Sequence, residues 1–158
     1  MLIAEPQDGQ PGRDRVSFFI FPRSEVAPVV YAYTMVEGKT PKDMADTLHE
    51  TFAKTVSEAR ATPPETVGSG YYALMRLDEF VPSRIVEAVV HGMDLTDALG
   101  RPSIATPEGI AVTAAILDEL LARRTVAGRP ADLAGDDVAW VRAASGRAEQ
   151  PHPDRACP

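Results

Sequence analysis

Apolar residues recur every three to four positions in three stretches of the chain, and that spacing predicts three long helices. The first opens at Thr40, a good N-cap, with Pro41 at the first helical position and Asp43 completing a capping-box-like arrangement. Met44, Leu48, Phe52, Val56 and Ala59 follow at helical spacing as far as Ala61, and Pro63-Pro64 ends the run. This stripe is expected to pack on a core, with His49 at its edge as a partly buried boundary residue. The second helix is expected to start at Pro82, near its first turn, and to stop at Gly100 before Pro102. The third repeats the cap in Thr106-Pro107-Glu108, carries Ile110, Ala114, Leu117 and Leu121, and ends through Arg123 and Arg124, with Gly128 closing it.

Between and around these runs the pattern is weaker. Residues 5 to 15 are rich in Pro, Gly, Asp and Gln and read as a disordered lead-in. Val16 to Phe21 permits a strand or an extended segment, and the extended segment is favoured because no other run offers a partner strand. Ser24 to Val36 could form a helix capped by Ser24, although Pro28 allows only a short first turn. In the linker at 62 to 81, Tyr71 to Met75 fits a short helix or an extended turn, with both tyrosines expected to pack rather than to line a pocket. Asp136 or Asp137 then caps a short helix carrying Val138, Trp140 and Val141, which would cover one end of the bundle. The expected organisation is a lead-in at 1–23, a helical bundle domain at 24–147 and a tail at 148–158. Three long helices with a weaker fourth imply an all-α, antiparallel four-helix bundle with its site among facing helices.

The polar positions of the second helix change the picture. At about 100° per residue, Arg84, Glu87, His91, Asp94 and Ala98 fall within roughly 80° of one another, while Ile85, Val86, Val89 and Met93 take the far side. Glu87 and His91, one turn apart, could converge on one ion, and Asp94 could orient the imidazole from behind. The same spacing also suits an ordinary solvated helix face, since two ligands are fewer than the three usual in a catalytic zinc site.

Composition narrows the classes. The 158 residues suit a single domain. A formal net charge of −7 argues against nucleic acid or an anionic membrane as the main partner. No run approaches the roughly 18 apolar residues of a membrane span, and Met1 to Pro6 lacks a basic segment leading into an apolar one, so a cytoplasmic protein is expected. Cys157, the one cysteine, reads as an exposed, incidental thiol, and His152 as a tail residue. No phosphate loop, CxxC pair or Ser/His/Asp order is present.

Arg84-x-x-Glu87-x-x-x-His91-Gly92-x-Asp94-Leu95-x-x-Ala98-Leu99-Gly100 resembles the signature helix of the mycothiol-dependent maleylpyruvate isomerase family, within the DinB/YfiT-like superfamily of metal-binding four-helix bundles. Asp136-Asp137-x-Ala139-Trp140, followed by Ser145-Gly146-Arg147 and His152-Pro153-Asp154, is similar to the way many of those chains end. The resemblance implies that Glu87 and His91 are ligands of a divalent metal, typically zinc, that Asp94 orients a ligand, and that Arg84 contacts a carboxylate of the thiol cofactor or substrate. It further implies a metal that activates a low-molecular-weight thiol such as mycothiol for addition to an electrophilic substrate, by isomerisation or thiol transfer. Family members carry a further ligand histidine in an earlier helix, whereas the one histidine upstream of Glu87 here is His49, in a different context. Either the N-terminal helix has been lost or replaced, leaving the bundle incomplete, or His49 serves as third ligand. Loss of a helix would leave an apolar groove for a partner or a second copy, and on that alternative the chain is a non-catalytic binding or dimerising module.

Overall fold

The structure is a computed structural model that describes residues 14–16, 19, 38–69, 74–126 and 128–148. The described residues are mostly helical. Four helices are present among them, α1 (Pro41–Ala61), α2 (Leu77–Ala98), α3 (Pro107–Arg124) and α4 (Asp137–Ala144), with a short 3-10 turn at Ala131–Leu133. Strands β1 (Val67–Ser69) and β2 (Leu74–Arg76) pair antiparallel, with Gly68 opposite Met75. None of the helices is long and apolar enough to cross a membrane. Two units make up the chain, residues 1–80 and 81–158. The helix anticipated between Ser24 and Val36, the tyrosine pair at 71–72, most of the Val16–Phe21 run and the tail from Gln150 lie outside the described residues.

In the first unit, α1 starts where its cap dictates. The Asp43 N–H donates to Thr40 Oγ1 at 3.2 Å and the Thr40 N–H donates to Asp43 Oδ2 at 2.9 Å, a reciprocal pair that satisfies two otherwise orphaned donors. The Thr40 hydroxyl donates to Asp43 Oδ2 as well, at 2.6 Å, and this bond first, then that of the Thr40 N–H, holds the Asp43 carboxyl below its ordinary range. At the other end, the Thr62 hydroxyl donates to the Glu58 carbonyl at 2.7 Å. The apolar stripe of α1 does not behave as the pattern predicts. No residue of α1 is buried, and Leu48 and Phe52 keep 64% and 61% of their surface exposed. Among the described residues, those buried in this unit are instead Val16, Met75 and Leu77, with strand β2 supplying Met75.

Helix α2 begins five residues before Pro82, the residue expected to open it. The reason is a cap supplied from upstream, since the N–H groups of Leu77 and Asp78 donate to the carbonyls of Thr66 and Pro64, both at 2.9 Å. Glu79 in the same turn accepts from the Arg15 N–H at 3.0 Å.

The second unit is built on one core. Val89, Met93, Ala114, Trp140 and Val141 are buried together, and Ile85, Val90, Ile110, Leu117, Leu121 and Leu133 pack on them, so α2, α3 and α4 each turn an apolar face inward. Thr106 Oγ1 accepts from the Gly109 N–H at 3.1 Å, and Pro107 occupies the first turn of α3. Gly109 lets that turn come close to α2, because a Cβ there would stand 3.2 Å from Val89 Cγ2. Helix α3 ends at Arg124 rather than near Gly128, with the Thr125 N–H returning to the Leu121 carbonyl at 2.8 Å. Asp136 caps α4, accepting from the Ala139 N–H at 2.9 Å. Arg129 ties the connector to both helices it joins. Its guanidinium donates to Asp118 of α3 and Asp137 of α4 and lies 5.3 Å from the Trp140 ring centre.

Helices α2 and α4 end alike. In α2, Gly100 takes a positive φ of 60°, its N–H donates to the Asp97 carbonyl, and the Arg101 N–H reaches back to the Thr96 carbonyl at 2.8 Å. In α4, Gly146 takes φ of 75°, its N–H donates to the Ala143 carbonyl, and the Arg147 N–H reaches the Arg142 carbonyl at 2.7 Å. Both are Schellman caps, and the second sets the direction in which the Arg147 side chain leaves the helix.

Candidate functional site

The polar face of α2 lies opposite its buried side, as helical periodicity requires. Val86, Val89 and Met93 are buried, whereas His91 keeps 69% of its side chain exposed and Glu87 26%. Glu87 Oε2 stands 3.1 Å from His91 Nε2, and the other ring nitrogen, Nδ1, is 3.5 Å from Asp94 Oδ2. The imidazole is therefore flanked by one carboxylate at each nitrogen. Arg84, a turn before Glu87, directs Nε to the hydroxyl of the buried Ser83 at 3.2 Å.

Two arginines from the end of α4 complete this surface. Arg147 donates through Nε and Nη2 to the two oxygens of Asp94, the Nη2–Oδ2 distance being 2.6 Å, and through Nη1 to the Ser145 carbonyl at 2.7 Å. Arg142 forms the same kind of fork on Asp97, at 2.6 and 2.9 Å. Both carboxyls are held below the usual aspartate range, Asp94 chiefly by Arg147 and then by His91, and Asp97 chiefly by Arg142. The Arg147 guanidinium is correspondingly pushed up by Asp94, with Glu87 adding a smaller attraction.

Of the residues singled out in the sequence, Glu87, His91 and Asp94 thus come together on one surface, and Arg84 lies on the same helix. His49 is exposed on α1, in the first unit. Among the described residues, no group of three or more His, Cys, Asp or Glu side chains is placed to hold a metal ion. Glu87 and His91 nevertheless suit two positions on such an ion. A carboxylate oxygen and an imidazole nitrogen are ordinary zinc donors at about 2.0–2.2 Å, and two donors at that range can stand as close as the 3.1 Å seen here.

Arg142, Asp97 and Arg147 carry no role that helical spacing alone predicts. Their pairings span 45 and 53 residues, beyond any local pattern. The one local signal was Ser145-Gly146-Arg147, where a glycine after a short helix implies a Schellman cap and fixes the next residue's direction.

The fold and this surface define a helical protein with a histidine held between two acidic side chains at an open face. No family model, curated protein or solved structure matches the chain.

Proposed function

We propose that the chain is a metal-binding, thiol-dependent isomerase or transferase of the maleylpyruvate isomerase kind, an antiparallel DinB/YfiT-like helical bundle acting in the cytoplasm. The observation that carries this reading is the convergence of Glu87 Oε2 and His91 Nε2, 3.1 Å apart, with Asp94 behind the second ring nitrogen. In this reading Glu87 and His91 hold a divalent cation, zinc being the natural choice for such donors. Such a cation would supply Lewis acidity to lower the pKa of a small thiol such as mycothiol. The chain's own residues do the rest. Exposure of His91 leaves room for the thiol and an electrophilic substrate, Asp94 orients the ring, and Arg84 is the candidate partner for a carboxylate of either molecule.

The test is the metal content of the purified, untagged protein and of His91→Ala, by elemental analysis. The expected outcome is zinc in the parent and a large loss in the variant, with helicity unchanged because His91 is solvent-facing. Equal metal content in the two proteins rejects the site.

A second reading is favoured by α1. Its Leu48 and Phe52 are largely exposed, Val56 is 38% exposed, and the three lie at helical spacing. The first half of α1 is net negative through Asp43, Asp46 and Glu50, and the second half net positive through Lys54 and Arg60. Two copies pairing antiparallel along this stripe would set unlike halves against each other. On this reading the chain is a non-catalytic module that dimerises, and the Glu87/His91 face is a relic. Sedimentation over a range of concentrations tests it, a dimer without bound metal being the supporting result.

A further inference from the structure

The geometry points to Arg147 as a positioning residue for His91, acting through Asp94. Its consequence for metal affinity rests on the metal reading above, but the positioning itself does not.

The arrangement starts with the backbone. Gly146 in the left-handed region closes the Schellman turn of α4, so Arg147 is carried at a fixed backbone direction rather than on a loose tail. Its guanidinium has three anchors, both oxygens of Asp94 and the carbonyl of Ser145. An aspartate carboxylate on a solvated helix face has a broad, nearly two-fold side-chain torsion and would otherwise turn freely. A planar fork on both oxygens removes that freedom, which a point charge could not do. The oxygen that receives Arg147 Nη2, Oδ2, is the same oxygen that stands 3.5 Å from His91 Nδ1.

The imidazole needs such a hold. With 69% of its side chain exposed, His91 has little packing to choose its ring orientation. The groups facing it are Glu87 and Asp94 on its own helix, and from the end of α4 Arg147, bound to Asp94. Fixing Asp94 fixes the Nδ1 side of the ring and keeps Nε2 turned toward Glu87, the arrangement in which nitrogen and carboxylate oxygen can share one ion. Arg142 supplies an internal comparison. It forks Asp97 in the same way from the same helix, but Asp97 makes no contact of this kind with His91.

The experiment uses the full chain, metal-free, with histidine nitrogens labelled and the His91 ring resonances identified by their loss in His91→Ala. Arg147→Gln and Asp94→Asn are each expected to move the His91 ring resonances away from the parent position. The double variant should match Asp94→Asn, because Arg147 acts only through that carboxylate, while Arg142→Gln leaves the resonances at the parent value. Arg147→Lys, which keeps the charge without the fork, should also move them and serves should the glutamine variant fail to fold. Parent-like resonances in a folded Arg147→Gln or Arg147→Lys overturn the proposal, as does an equal shift in Arg142→Gln. A Zn2+ titration then separates the two claims. About tenfold weaker binding in Arg147→Gln, with no further loss in the double variant, is the expected result. Unchanged affinity in a parent that binds Zn2+ overturns the coupling to the metal site. A parent that takes up no Zn2+ rejects the metal reading, while the ring resonances still decide the role of Arg147.

Discussion

Val89 and Asp97 sit on the same helix, one buried and one exposed, and respond to different physics. Val89 is 6% exposed within the core of the second unit, so Val89→Asp places a charge with no partner among apolar side chains. We expect a loss of about 3 kcal/mol or more in urea denaturation. Parent-like stability would mean that the buried and solvent faces of α2 are reversed. Asp97 contributes through charge. Arg142 lowers its pKa in the folded protein, so the contribution is fully present above the unfolded value of about 3.9 and is lost as pH falls toward the lower folded value. The stability gap between the parent and Arg142→Ala, measured at neutral pH, should therefore narrow when the same denaturation is run near pH 3. A gap that is unchanged or wider in acid would show that Arg142 acts by packing alone.

At the scale of elements, legibility followed where the caps come from. Helices α1 and α3 begin at the prolines the sequence nominated because their capping hydroxyls, Thr40 and Thr106, are the residues immediately before them. Helical spacing found the core-facing stripe of α3 in part, Ala114 being buried and Ile110, Leu117 and Leu121 partly buried while Thr113 and Ile116 went unnamed, and the cap of α4 by Asp136 was legible locally, although Val138 turned out 40% exposed. Helix α2 was misread at its start because its first donors are satisfied by Thr66 and Pro64, eleven and fourteen residues upstream of Leu77 and Asp78 respectively, where no spacing rule reaches. The β1–β2 pair escaped for a related cause, since three-residue strands are too short to show alternation. The site was half legible. Glu87, His91 and Asp94 follow from helical spacing, whereas Arg147 and Arg142 required the fold. The Schellman cap that delivers Arg147 gives its own prediction. Gly146→Ala, at φ of 75°, should cost about 1–2 kcal/mol by thermal denaturation. Gly135→Ala, at ordinary φ with open space around its Cβ position, should not carry that penalty.

At the scale of the whole molecule, a formal charge of −7 sets a mild repulsion between copies, which any self-association has to overcome with local complementarity. The exposed stripe on α1 is where that balance is tested. Phe52→Glu removes the largest exposed aromatic of the stripe and adds like charge, so it should shift the sedimentation of a dimeric parent to that of a monomer without loss of helicity, because Phe52 is 61% exposed. A monomeric parent at all concentrations would remove the dimer reading. The chain also carries its own optical gauge. Trp140 is its sole tryptophan, buried to 5% exposure in the core beneath Arg129. All indole emission from the protein therefore originates where α4 meets α2 and α3, so its colour reports the seating of α4 on those two helices. Light from one ring will thus follow the docking of the helix from whose end both arginines reach α2.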